Sequence, residues 1–220
     1  MESKAIEEIA AAIAHEVKNP LTMVRFNLDI LESSDKRLET HKNYSMIRKE
    51  LKKINDIMMD FIYLTGTCYG KRDVVHIESL LDELKEDLQV AMPDIRINIT
   101  YPQVNLTITG YESALRILFG NIVKNAVEAM DFAGELQITA EKEGGVVKLK
   151  FKDSGPGLSK EVAQKMFKEQ ITTKPMGSGL GLAICKKIAK EHGGDFLLKN
   201  DPNGGCSASV ELKEAAKSSV

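Results

Sequence analysis

Four groups of residues in this 220-residue chain have the types and the spacing to do chemistry. The first is His15-Glu16-Val17-Lys18-Asn19-Pro20. At about 100° per helical residue, His15 falls off the line of Ile13 and Val17 and is predicted to face solvent. Glu16 follows it directly and Asn19 stands one turn along the same face. Pro20 sits inside the helical pattern, where its missing N–H costs a hydrogen bond and kinks the axis. A lone exposed histidine more often does nothing, and Glu16 and Asn19 also read as an ordinary polar helix face. The second group is the amide pair Asn121 and Asn125, at i and i+4 on one helix face, a spacing that also arises by chance in polar helices. The third, Asp153-Ser154-Gly155-Pro156-Gly157-Leu158, follows a strand and by itself reads as a surface turn. The fourth, Gly177-Ser178-Gly179-Leu180-Gly181-Leu182, opens a helix, so its backbone N–H groups can face a polyphosphate with no side chain in the way. A flexible linker is the bland alternative, and the apolar run Leu180, Leu182, Ala183, Ile184 argues against it.

The elements that must carry these groups are legible from periodicity. Ile6, Ile9, Ile13, Val17, Leu21, Val24, Leu28 and Leu31 recur every three or four positions, as on one face of a long helix. Ser33-Ser34-Asp35 breaks the pattern, which resumes through Tyr44, Ile47, Leu51, Ile54, Met58, Phe61 and Ile62. Residues 1–66 are therefore expected to form a helical hairpin. Two helices cannot enclose a dry core, so a second copy is expected to complete a four-helix bundle in a homodimer; an intramolecular coiled coil is the alternative. Thr65-Gly66-Thr67-Cys68-Tyr69-Gly70 carries turn-prone residues, and a linker is placed at 67–74. Residues 75–220 alternate between periods: a helix through Ile77, Leu80, Leu81, Leu84 and Leu88, strands at 95–99 and 106–108, a helix at 111–130, strands near 135–141 and 146–152, a short helix, a helix at 179–191 and strands near 195–199 and 206–212. The class is α+β, with antiparallel hairpins beside grouped helices in a two-layer sandwich.

Composition removes several function classes. The 30 Lys and Arg stand against 32 Asp and Glu, so no basic field exists to attract nucleic acid or anionic lipid. Cys68, Cys185 and Cys206 are widely spaced with no CxxC pair, which disfavours a disulfide framework or a zinc site and fits a reducing cytoplasm. No apolar run approaches the ~18 residues of a membrane span, so any sensor segment or membrane anchor is expected upstream of this sequence. His192-Gly193-Gly194 is expected to cap a helix C-terminus. His41 and His76 are expected at the surface, and Met23, Met46, Met58, Met59 and Met130 in packing.

The run His15-Glu16-Val17-Lys18-Asn19-Pro20-Leu21-Thr22 resembles the H-box of sensor histidine kinases, and the other three groups resemble, in order, the N, G1 and G2 boxes of the nucleotide-binding fold those kinases share with type II topoisomerases and certain chaperones. Four motifs in one order, spanning about 5–212, make the resemblance specific. Met166-Phe167 resembles the F-box, and the segment 158–176 with Thr172-Thr173-Lys174-Pro175 resembles the lid over ATP. The resemblance implies phosphorylation of His15 by ATP, with Glu16 as general base and Asn19 placing a water that dephosphorylates a partner. It implies Mg²⁺ held by Asn121 and Asn125 with phosphate oxygens, and adenine selected by Asp153, because a carboxylate only accepts hydrogen bonds and adenine offers an amine where guanine offers a carbonyl. Gly155 and Gly157 lie beside the base, Gly177, Gly179, Leu180 and Gly181 around the phosphates, and Phe167, Thr173 and Lys174 in the lid. The position of Asn121 is a water-activating glutamate in hydrolytic members, so transfer rather than hydrolysis is expected. The implied partners are a response-regulator receiver domain, a second copy of the chain, and a protein inhibitor that would bind the hairpin. Details such as KNAVEAM resemble the sporulation kinases of Bacillus-type bacteria. A histidine phosphotransferase without ATP and an ATPase clamp are the competing classes, against which stand the intact boxes and Asn121.

Overall fold

The computed structural model describes residues 2–65, 70–159 and 180–216, and within these the side chains from residue 16 onward, apart from a few near residues 39–40 and 62–65. The chain divides after Cys68 into two compact units.

The first unit is a hairpin of α1 (Glu2–Ser34) and α2 (Lys42–Thr65) joined by a 3₁₀ turn, Lys36–Thr40. Helix α1 runs through Pro20 without a break. It ends where Ser33 and Ser34 donate their hydroxyls to the carbonyls of Ile30 and Leu31, both at 2.8 Å, and compete with the helical pattern. Asp35 then caps the 3₁₀ turn, accepting from the Arg37 N–H at 3.1 Å. Near this end the helices are pinned by Tyr44, whose hydroxyl donates to the Leu28 carbonyl at 2.6 Å, and by Arg48, which pairs with Asp29 at 2.7 Å and with Glu32. Leu28 and Tyr44 are buried, whereas Met23, Phe26, Ile30, Leu31, Met46, Ile47, Ile54 and Phe61 stay between 40% and 58% exposed. Of the stripes that periodicity marked, Val24, Leu31, Ile47, Ile54 and Phe61 are thus solvent-facing in the single chain.

The second unit is a five-stranded sheet covered on one face by helices, with a two-stranded ribbon beside it. Its strands are β1 (Asp73–His76), β2 (Ile95–Thr100), β3 (Thr107–Gly110), β4 (Gly134–Glu143), β5 (Val146–Asp153), β6 (Asp195–Asn200) and β7 (Cys206–Lys213), and its helices α3 (Ile77–Ala91), α4 (Glu112–Ala129) and α5 (Gly181–Glu191). Five strands form a sheet in the order β2-β4-β5-β7-β6, and β1 pairs with β3 as a separate ribbon. Alternation places Val147, Leu149 and Phe151 of β5 and Ala208, Val210 and Leu212 of β7 in the core, while Lys148, Lys150 and Lys152 face the other way. The core-facing set packs on Leu115, Leu118, Phe119 and Ile122 of α4 and Ile184 and Ile188 of α5, with the Phe119 and Phe151 rings 5.8 Å apart.

The expected antiparallel hairpins are present, and the sheet is mixed: β2 pairs parallel to β4 in the register Ile95↔Gly134 to Thr100↔Thr139. A parallel neighbour requires a crossover, and α4 supplies it. Strand β1 begins at Asp73, where the stretch read as linker ends, and pairs antiparallel with β3. The short helix expected between the two glycine-rich segments falls outside the described residues.

Candidate functional site

Asp153 is the last residue of β5, 7% exposed, and its carboxylate is held by backbone. Oδ1 accepts from the Gly155 N–H at 2.9 Å and from the Cys206 N–H at 3.1 Å. Two N–H donors fix the carboxyl orientation. The following turn is seated on the end of α4: a Cβ at Gly155 would come within 3.2 Å of the Ala129 carbonyl oxygen. Ser154 ties the same turn to β4, its hydroxyl accepting from the Glu135 N–H at 3.0 Å and its own N–H donating to the Glu135 carbonyl at 3.1 Å. Beside Asp153, burial and then the carboxylate's charge push the Cys206 thiol up to about 11, so the thiol stays neutral and donates to the Lys199 carbonyl at 3.3 Å.

Asn121 and Asn125 are half-buried on α4. The Asn121 Nδ2 is enclosed and makes no hydrogen bond. A buried amide left unsatisfied costs about 1–3 kcal/mol, so the middle of α4 is suited to meet a polar group that the described residues do not supply. Opposite it stands the start of α5, where a Cβ on Gly181 would meet Asn121 Oδ1 at 3.7 Å, an ordinary contact. Helix α5 begins with Leu180 in its cap position, without a side-chain cap and without an acidic residue in its first turn. The positive end of its dipole lies there, which suits an anion. Asn121 and Gly181 meet because α4 and α5 pack along each other, with the Cys185 thiol 3.8 Å from the Leu118 carbonyl.

At the far end of α5, His192 occupies the helix C-cap as expected, but its ring is also buried at 1% exposed. Its Nδ1 lies 2.7 Å from the Ile188 carbonyl and its Nε2 accepts from the Tyr111 N–H at 3.0 Å, which fixes the neutral Nδ1–H tautomer. Burial holds the His192 imidazole below its usual range. The ring joins the last turn of α5 to the residue that precedes α4 and so sets the spacing of the two helices.

In the hairpin, His15, Glu16 and Asn19 all lie on α1. Glu16 and Asn19 are exposed, and the His15 side chain falls outside the described residues. Phe167, Thr173, Lys174, Gly177 and Gly179 also lie outside the described residues. The structure brings Asn121 to Gly181 and, separately, Asp153 to the Gly155–Gly157 turn. Sequence reasoning missed His192 as an internal strut and Asn200, Gly205 and Cys206 as neighbours of Asp153. The run Asp201-Pro202-Asn203-Gly204-Gly205 announced a turn, but nothing in it announced what the turn would touch.

Residues 5–65 match the family model of the His Kinase A (phospho-acceptor) domain, and residues 110–216 match that of the histidine kinase-, DNA gyrase B-, and HSP90-like ATPase. Sporulation kinase C of Bacillus subtilis is 31% identical over 209 residues, covering 93% of this chain and 48% of its own length. The chain spans about half or less of the length of the curated relatives it matches. Among solved structures, full-length ShkA in complex with AMPPNP aligns with a TM-score of 0.77 at 25% identity, over 95% of this chain and 46% of its own. Histidine kinase ThkA in complex with the response regulator TrrA aligns with a TM-score of 0.64 at 25% identity, over 94% of this chain and 61% of its own. No helix among the described residues is long and apolar enough to cross a membrane. A match to the phospho-acceptor domain followed by a match to the ATPase domain, with the sporulation kinases among its relatives, makes this chain a member of the histidine kinase family.

Proposed function

We propose that the chain is an ATP-dependent protein-histidine kinase that phosphorylates His15 and passes the phosphoryl group to an aspartate of a response-regulator receiver domain. The observation that carries the nucleotide half is the enclosed amide nitrogen of Asn121, which has no hydrogen-bond partner among the described residues, beside the start of α5. A phosphate oxygen is the group that both features want at once. Rotating the amide by half a turn presents its oxygen instead, so Asn121 and Asn125 are suited to hold Mg²⁺ together with phosphate oxygens; that ion would neutralise charge on the phosphates. At the other end, the fixed Asp153 carboxylate is an acceptor for the amine of adenine.

In the transfer step a ring nitrogen of His15 attacks the γ-phosphorus. The N–P bond forms as the bond to the bridging β–γ oxygen breaks, and ADP leaves. The proton on the second ring nitrogen passes to Glu16, the adjacent exposed carboxylate, as positive charge builds on the imidazole. Asn19, one turn away, would position the water that removes the phosphoryl group from the partner's aspartate. The exposed apolar stripes of both hairpin helices support a homodimer through a four-helix bundle, since burying each large side chain there is worth about 1.5–3 kcal/mol. The division into a hairpin at 1–66, a linker at 67–74 and an ATP-binding domain at 75–220 is part of the same reading. Likeness to ThkA, solved with its response regulator, supports the receiver domain as partner. Labelled ATP tests the proposal. The chain should acquire label that is alkali-stable and acid-labile, and His15→Gln should lose it while still binding nucleotide. Label that persists in His15→Gln would refute the assignment.

A further inference from the structure

The turn between β6 and β7, residues 200–206, belongs to none of the four motifs, yet it touches the base end of the site at three points. The Cys206 N–H donates to Asp153 Oδ1 at 3.1 Å. Gly205 passes so close to β5 that a Cβ there would lie 1.9 Å from the Asp153 carbonyl oxygen, which no side chain could relieve. The third contact is made by Asn200. Its Oδ1 accepts from the Leu158 N–H at 2.6 Å and its Nδ2 donates to the Leu158 carbonyl at 2.9 Å. One side-chain amide thus pairs with both backbone groups of a single residue, as a neighbouring strand would. Among the described residues nothing else bonds to the Leu158 backbone.

The geometry is specific to this turn. Gly157 has φ +78°, and a Cβ on it would lie 2.9 Å from Asn200 Oδ1 and 3.2 Å from the Gly205 carbonyl oxygen. The residues that press on Gly157 are therefore those of the 200–206 turn. That turn is itself braced. Asp201 is buried, accepts from the Asn203 N–H at 3.0 Å and pairs with Lys152 at 3.0 Å and Lys150 at 3.3 Å. The Asp201 N–H donates to the Gly205 carbonyl and the Gly204 N–H to the Asp201 carbonyl, both at 3.0 Å. Asn200 thus projects from a fixed support.

We propose that Asn200 is a positioning residue of the nucleotide site: by bridging both backbone groups of Leu158 it sets the Gly155–Leu158 turn, and with it the space beside Asp153 into which the base fits. This rests on the nucleotide reading of Asp153 given above. Asn200 acts at the base end and not on the phosphates, so its loss weakens every adenine nucleotide by the same factor.

The test uses the full chain and three variants, Asn200→Ala, Asn200→Asp and, as reference, Asp153→Asn. Binding of ADP and of AMPPNP is measured by calorimetry, and exchange of the Leu158 amide proton by NMR. Asn200→Ala is expected to weaken both nucleotides about tenfold, by one factor, and to speed Leu158 exchange. Asn200→Asp keeps the acceptor for the Leu158 N–H but turns its second oxygen against the Leu158 carbonyl, so it should retain slow exchange and lose less affinity. The proposal is overturned if Asn200→Ala binds both nucleotides within twofold of the unsubstituted chain, or if only AMPPNP is weakened. Should Asn200→Ala fail to fold, Asn200→Asp decides by the same measure: affinity within experimental error of the unsubstituted chain overturns the proposal, and a shared loss for the two nucleotides sustains it. If the unsubstituted chain binds neither nucleotide, the reading of Asp153 falls first, and this proposal with it.

Discussion

Asp153→Asn separates recognition of the base from support of the fold. In the proposed site the carboxylate has two duties: Oδ1 accepts the Gly155 and Cys206 N–H groups, and Oδ2 is left for the amine of adenine. An asparagine whose carbonyl oxygen takes the place of Oδ1 keeps both backbone bonds, and its NH₂ then confronts the amine, donor against donor. The lost bond is one to a charged acceptor, worth about 1.5–3 kcal/mol, and at 1.4 kcal/mol per tenfold this weakens ATP by about 10- to 150-fold. Turning the amide over would rescue the base contact only by setting an NH₂ against two backbone donors, which costs at least as much. The fold loses less. Two charge-assisted bonds become neutral ones, about 1–2 kcal/mol together, which lowers the melting temperature by no more than about 8 °C. Calorimetric titration with AMPPNP at a temperature where the variant is folded, beside a thermal melt, measures both quantities. Affinity within threefold of the unsubstituted chain would remove Asp153 from the base pocket. A melting point lowered by far more than 8 °C would mean that the carboxylate serves the fold first.

Three further outcomes follow from other parts of the structure. Gly181→Ala should fold normally, because its Cβ would meet only Asn121 at an ordinary 3.7 Å, but should weaken ATP more than ADP by crowding the phosphates at the start of α5; an unchanged ATP-to-ADP affinity ratio would contradict the phosphate cradle. His192 is held neutral below its usual range, so between its folded value and about 6.5 the unfolded chain binds the extra proton; stability in urea should therefore fall as pH drops below about 6.5, and His192→Gln should be weaker at neutral pH and flat across that window. Groups that act on this titration are Arg72, which favours the neutral ring, and Glu191 and the Ile188 carbonyl, which oppose it. Glu16→Gln should cut autophosphorylation by about 10² to 10⁴, whereas Asn19→Ala should keep much of it and lose stimulation of receiver dephosphorylation; equal loss of autophosphorylation in both variants would place Asn19 in the kinase step.

What the sequence disclosed and what it hid divide along local and non-local physics. The two hairpin helices, α3, α4, α5 and the strands β4 to β7 follow from periods of 3.6 and 2 within single segments, and their observed limits differ from the expected ones by a few residues. Asn121 and Asn125 share a helix face for the same reason. β1 was hidden because four residues with only Val75 buried carry no period. The parallel pairing of β2 with β4 was hidden because pairing is chosen between segments more than thirty residues apart. His192 was legible as a cap, through Gly193 and Gly194, but the Tyr111 N–H that meets its ring lies 81 residues away. Asn200 was hidden in the same way, since its partner Leu158 is 42 residues distant.

The base end of the site shows why these long-range contacts matter for selectivity. Among the described residues the Asp153 carboxylate is oriented by two backbone donors and by no cation, for the neighbouring lysines Lys150 and Lys152 lie across the sheet and are committed to Asp201. An Arg or Lys paired with Asp153 would neutralise its field and add donors that could satisfy the carbonyl of guanine. The thiol of Cys206, pushed up to about 11, adds no second negative charge at neutral pH and spends its proton on the Lys199 carbonyl. What would face the base in the proposed site is then one acceptor-only group at a position set by strand ends and a turn. A guanine carbonyl placed there would meet lone pairs against lone pairs, and no described side chain at this end stands ready to supply the missing proton. In the proposed site, preference for adenine would then follow from the absence of a described cation at Asp153 as much as from Asp153 itself, and the 200–206 turn sets backbone, not a charged side chain, against that residue.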